Sequence, residues 1–173
     1  TQIDLEMSFV DEQDIARVVE GLMKAVFSHI GEEISAPFPE MEYSDAMLKY
    51  GSDKPDLRYA LEIRDCSDIF KTSGFRIFSE ALAGGGVVRA IKGEKAAAFS
   101  RGDMDKLTDL VKTRGAKGLI WLRFKEGKFE SPTLKFIAEA ELAAIKDLLA
   151  VSEGDAVFIA ADKPAVAAPS LGT

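Results

Sequence analysis

The sequence predicts an α+β fold: an antiparallel four-stranded sheet with helices packed on one face, preceded by a strand–helix piece of different texture. Three observations predict it. Residues 2–9 alternate strictly between polar and apolar, the two-residue period of a strand with one buried face. From Ile15 to Ile30 apolar residues recur at helical steps. Beyond Gly74 the pattern runs strand, strand, helix, strand, helix, strand, which suits an antiparallel sheet with its helices segregated to one side.

In the first strand Ile3, Leu5, Met7 and Phe9 share one face, and Gln2, Asp4, Glu6 and Ser8 the other. Asp11 is placed to cap the helix that follows, with Asp14 in the capping-box position. That helix carries Ile15, Val18, Val19, Leu22, Met23, Val26, Phe27 and Ile30 as one wide apolar stripe, and Gly31 ends it. Pro37 and Pro39 force an extended connection. Ser44 caps a short helix stopped by Gly51, and Asp65 or Ser67 starts a helical turn around Ile69 and Phe70.

Phe75–Phe78 reads as a strand and Gly84-Gly85-Gly86 as a flexible turn into a second strand, Val87–Lys92. Ser100 or Asp103 opens a helix ended by Gly115. A third strand, Lys117–Phe124, precedes a turn at Gly127. Ser131 caps a helix with Pro132 at its first position, where a missing N–H costs nothing. The last strand is Ala156–Ala161, and the Ala/Pro/Gly-rich residues 166–173 are expected to fray.

At 173 residues and 47% hydrophobic content, the chain can bury the cores of one or two small domains. No apolar run reaches the roughly 18 residues of a membrane span, and no signal peptide opens the chain. A start at Thr1, already inside a strand pattern, suggests a piece of a longer protein. A single cysteine, Cys66, excludes an internal disulfide and suits a reducing compartment, so the expected location is cytoplasmic. With one histidine beside it, a His/Cys metal site is not expected. The net charge of −7 is unevenly spread: residues 1–70 carry 6 Lys/Arg against 16 Asp/Glu, and residues 71–128 carry 13 against 6. Such asymmetry marks either modules with different neighbours or a merely solvated basic face.

A free-standing active site is hard to find. Gly84-Gly85-Gly86 lacks the Lys-Ser/Thr of a P-loop. His29 suits the C-terminal dipole of its helix. Cys66 reads as a small buried side chain, and Trp121 as core rather than a base-stacking platform. Asp4 and Glu6 share a strand face about 7 Å apart, as a solvated polar face or a ligand-facing one would.

Nine consecutive residues, Tyr50-Gly51-Ser52-Asp53-Lys54-Pro55-Asp56-Leu57-Arg58, with Thr1–Phe9 upstream, resemble the catalytic region of bacterial-type aspartyl-tRNA synthetases, class II enzymes. Val88-Arg89-Ala90, Gly115–Leu119, Lys135-Phe136 and Gly154-Asp155 resemble the GAD domain inserted into that core and shared with certain tRNA-dependent amidotransferase subunits. The resemblance implies residues 1–68 as partial catalytic core, 69–165 as the GAD domain and 166–173 as a flexible tail. It implies a parent aspartate–tRNA ligase, a homodimer that uses ATP and Mg²⁺ to activate aspartate and transfers it to tRNA(Asp), and in some members to tRNA(Asn). By the same likeness Asp4, with Gln2 beside it, lies at the amino-acid pocket. Asp53, Lys54, Asp56 and Arg58 order the active-site rim or approach the tRNA acceptor end, or form a loop in which Asp53 or Asp56 pairs with Arg58. The arginines that grip phosphate and the Mg²⁺ carboxylates have no counterpart in this sequence, so no catalytic or metal-binding residue is assigned. The segment alone is expected to be an inactive monomer. The rival readings are an amidotransferase subunit, or a non-catalytic tRNA-binding or spacer module.

Overall fold

Residues 2–172 are described by the computed structural model, and they divide into two units, Thr1–Met41 and Glu42–Thr173. In the first unit the capping box forms as the sequence predicts. Asp14 N donates to Asp11 Oδ1 at 2.9 Å, and Asp11 N donates back to Asp14 Oδ2 at 3.1 Å. Helix α1 (Glu12–His29) follows, and Gly31 takes the left-handed φ of +84° just beyond it. No residue of α1 is buried, and Ile15, Val18, Val19, Val26 and Ile30 are exposed. The strand expected over residues 1–9 does not form: residues 2–9 are irregular, and Thr1 lies outside the described residues. A strand needs a neighbour for its N–H and C=O groups, and no strand is assigned in this unit among the described residues.

The second unit holds a five-stranded antiparallel sheet where four strands were expected. Its strands are β1 (Arg64–Asp65), β2 (Val87–Gly93), β3 (Ile120–Lys125), β4 (Lys128–Glu130) and β5 (Ala156–Asp162), in spatial order β1-β2-β5-β3-β4. Register sets Ala90 against Ile159 and Ile120 against the same residue on the other side. The two additional strands are two and three residues long, too short to leave a periodic signal.

Helices cover both faces of this sheet, correcting the one-faced arrangement. The helices are α2 (Tyr43–Tyr50), α3 (Arg76–Ala83), α4 (Arg101–Thr113), α5 (Glu139–Leu148) and α6 (Pro164–Leu171). On one side Phe78 and Leu82 of α3, Leu142 and Ile145 of α5, and Leu149 pack on Val88, Ala90, Leu122, Val157 and Ile159. On the other, Met104 and Leu107 of α4 and Ala167, Ala168 and Leu171 of α6 pack on Ala156, Phe158 and Ala160. The central β5 is therefore buried from Ala156 to Ala160. A near-continuous apolar strand is what burial on both faces produces.

Three local expectations change. Phe75–Phe78 opens α3 instead of forming a strand, since so short a stretch, with three of its four residues apolar, fits either element and tertiary packing decides it. Phe78 is fully buried, its ring 4.3 Å from that of Phe70 and 4.9 Å from that of Phe75. Ser131 closes a turn by accepting from Thr133 N at 3.2 Å, and α5 starts only at Glu139. The tail expected to fray is α6, with Pro164 in its first turn and Ala167, Ala168, Ser170 and Leu171 buried; Thr173 lies outside the described residues. Small side chains let this helix sit close to the sheet. Its tightness shows at Gly51, where φ is +67° and a Cβ would run into the Ala168 carbonyl.

Candidate functional site

The Tyr50–Arg58 loop leaves α2 through the left-handed Gly51. Side chains then hold each turn of it locally. Ser52 Oγ accepts from Lys54 N at 3.1 Å, and Asp56 Oδ1 accepts from Arg58 N at 3.1 Å. The Asp56 carboxylate also takes Arg58 Nε at 2.8 Å, a charge-assisted pair. Those bonds, side chain first and backbone second, hold the Asp56 carboxyl down at about 2, and the side-chain bond, then the Asp56 charge, push Arg58 up. Both residues are exposed, so water screens the pair.

The sign of its pH dependence is fixed. A carboxyl whose pKa is depressed on folding stabilises the fold above its unfolded value of 3.8, and that contribution fades as pH falls toward about 2. We expect the Asp56 side-chain carbonyl resonance to titrate near 2 and to return toward the ordinary carboxylate range in Arg58→Gln. A midpoint unmoved by that substitution removes the pair from the account.

The structure thus joins Asp56 to Arg58, one of the alternatives the sequence left open. Asp53 and Lys54 are exposed, and their side chains form no ion pair among the described residues. Gln2 and Asp4 are exposed in the first unit, on a segment without a strand partner.

Beyond Arg58 the chain walls a cleft that the sequence did not announce. Its volume is about 850 Å³, with Tyr59, Leu61, Phe99, Leu110, Leu148 and Phe158 among its apolar lining. Ile63 N donates to Lys49 O at 2.7 Å and fixes this wall to α2. The charges at the cleft are paired: Arg64 with Glu62 at 3.2 Å, and Lys92 with Glu94 at 3.6 Å. Such a surface suits an apolar partner more than bond-making chemistry. The cleft gathers residues from seven stretches of chain, and no local pattern encodes it.

Other side chains singled out by sequence have structural duties. Burial pushes the Cys66 thiol up to about 12, which suits packing and not nucleophilic attack. Trp121 is half-buried against the second core, with the Arg123 guanidinium 4.9 Å from its ring centre. His29 is exposed in the last turn of α1. Asp155 is buried, with Oδ1 accepting from Lys95 N at 3.1 Å and Oδ2 from Ser152 N at 3.0 Å.

Nothing among the described residues fits a nucleotide triphosphate with its metal. The amides of Gly84, Gly85 and Gly86 all donate to carbonyls of α3, at 3.0, 3.1 and 2.8 Å, and cradle no phosphate. Arg58 is committed to Asp56, and no three His, Cys, Asp or Glu side chains gather.

Fold and site define a helix-flanked antiparallel module that offers packing surfaces and paired charges. The chain belongs to the GAD domain family, whose model matches residues 78–171. Over 99% of its length it is also similar to longer proteins. It is 52% identical to a protein of Elusimicrobium minutum and 45% identical to one of Halothermothrix orenii, both named aspartate–tRNA(Asp/Asn) ligase. It is 46% identical to the aspartate–tRNA ligase of Clostridium perfringens. The chain spans about 30% of the length of these relatives, 30%, 29% and 29% in turn.

Proposed function

We propose that the chain is the GAD-bearing segment of an aspartate–tRNA ligase, with residues 1–68 contributing part of the catalytic core and 69–165 the GAD domain. The supporting observation is similarity over 99% of the chain, far more than the GAD match at residues 78–171, to proteins of that name. The intact ligase activates aspartate with ATP and Mg²⁺ and transfers it to tRNA(Asp), with tRNA(Asn) a second acceptor in relatives named for both. It works as a cytoplasmic homodimer, and the segment alone is an inactive monomer. Asp4, with Gln2 beside it, orients the basic groups that read the substrate carboxylate. Asp53, Lys54, Asp56 and Arg58 form the rim. The exposed apolar stripe of α1 agrees with a first unit that packs against further core.

A chimera tests the reading. This chain replaces the matching segment of the Elusimicrobium minutum ligase, and charging of tRNA(Asp) with aspartate is measured. We expect charging within about tenfold of the host, a loss near 1.4 kcal/mol, and no aspartate-dependent pyrophosphate exchange by the 173-residue chain alone. Within the chimera, Asp4→Ala raises the KM for aspartate far more than that for ATP. A folded chimera that charges nothing overturns the assignment.

A further inference from the structure

We propose that Lys95, Arg123, Lys125 and Lys128, gathered at one end of the sheet, form a surface for the phosphate backbone of RNA. The inference rests on the ligase reading and deepens it by naming where the nucleic acid touches this segment.

Placement, not pairing alone, separates these four. Lys54, Arg101, Arg114, Lys117, Lys135, Lys146 and Lys163 also form no ion pair among the described residues, while other basic residues of the unit are tied to acids. Lys71 is held by Asp68, Arg76 by Glu80, Arg89 by Asp65, Lys106 by Asp103 and Lys112 by Asp109. None of the four forms an ion pair among the described residues.

The fold brings them together from two stretches of chain. β3 and β4 are paired with Lys125 directly opposite Lys128, which sets two like charges on one face, an arrangement that costs stability unless an anion is bound. Strand alternation places Arg123 on that same face, about 7 Å from Lys125. The Arg123 guanidinium sits over Trp121, 4.9 Å from its ring centre, and its Nε is buried without a hydrogen-bond partner. Lys95 joins them through Asp155, which accepts from Lys95 N with its side chain and from Phe124 N with its carbonyl.

Nearby acids offset only part of this charge. Glu153 is engaged by the amides of Glu126 and Gly127 at 2.7 and 3.2 Å. Asp155 is buried and engaged by backbone N–H groups. Glu130 stands opposite Arg123, and Glu126 is exposed at the turn. A lipid surface is disfavoured because the apolar residues of the hairpin, Phe124 and Phe129, turn into the core at 6% and 8% exposure.

The test measures binding of the 173-residue chain to fluorescently labelled tRNA by anisotropy at several KCl concentrations. We expect saturable binding at about 50 mM KCl whose log affinity falls with log salt at a slope of about −3, the counterion release of some four phosphate contacts. Arg123→Gln/Lys125→Gln/Lys128→Gln weakens binding about tenfold or more and lowers the slope by about 2. Lys125→Gln/Lys128→Gln, which leaves the Trp121 stack intact, loses about fivefold and guards against misfolding of the triple variant. The control on α4, Lys106→Gln/Lys112→Gln, stays within about twofold. No saturable binding, an equal loss in the control, or tighter binding to phosphatidylglycerol vesicles or to an acidic protein than to tRNA overturns the proposal. The chimera assay is read independently, so a chimera that charges tRNA while the hairpin variants bind normally refutes this surface alone.

Discussion

Truncation after Lys163 is expected to abolish cooperative unfolding of the second unit. The deletion removes α6 and strips cover from Ile63, Phe158 and Ala160, all buried beneath or beside it. At about 25 cal/mol per Å² of apolar surface, uncovering a few hundred Å² costs on the order of 5–10 kcal/mol, comparable to the whole stability of a domain. A circular dichroism melt of the truncated chain should show a broad, early transition and strong binding of a hydrophobic dye. A sharp transition near that of the full chain defeats this account of α6.

The second large effect is expected at Asp155. Its carboxylate accepts two backbone N–H groups in a buried turn, and Lys92 Nζ stands 4.0 Å away. Asp155→Ala leaves those amides without partners, at about 1–3 kcal/mol each. We expect a loss of about 3 kcal/mol, read as a melting temperature lower by about 10 °C. Asp155→Asn keeps one acceptor oxygen and should lose about half as much. An alanine variant that melts with the parent shows that the turn supplies other partners.

Much of this architecture was legible in the chain, and the failures share a cause. Where a residue bonds its near neighbours, the reading is mostly correct, although Ser131 caps no helix and Ser44 lies inside α2, whose N-cap is Glu42. Asp11 with Asp14 and Ser100 with Asp103 close capping boxes, and Gly31, Gly51 and Gly115 take left-handed turns. Where packing across the sheet decides, local pattern misleads. Phe75–Phe78 is helical because Phe70 waits beside it, and the alanines of α6 look like a linker until β2 and β5 lie beneath them. Residues 2–9 show the reverse case, a strand pattern left irregular with no strand to pair with in its unit. The site follows the same rule. The Asp56–Arg58 pair is two residues apart and visible in sequence, whereas the cleft and the Lys95–Arg123–Lys128 gathering depend on contacts between distant stretches.

The close approach of Gly51 to α6 has a companion at Gly172, where a Cβ would strike the Tyr50 carbonyl and stand 3.2 Å from Gly51 Cα. The stretch that leads from α2 toward the sheet and the end of α6 are therefore side by side. A body whose early and late segments adjoin tolerates circular permutation and the insertion of a further piece between them.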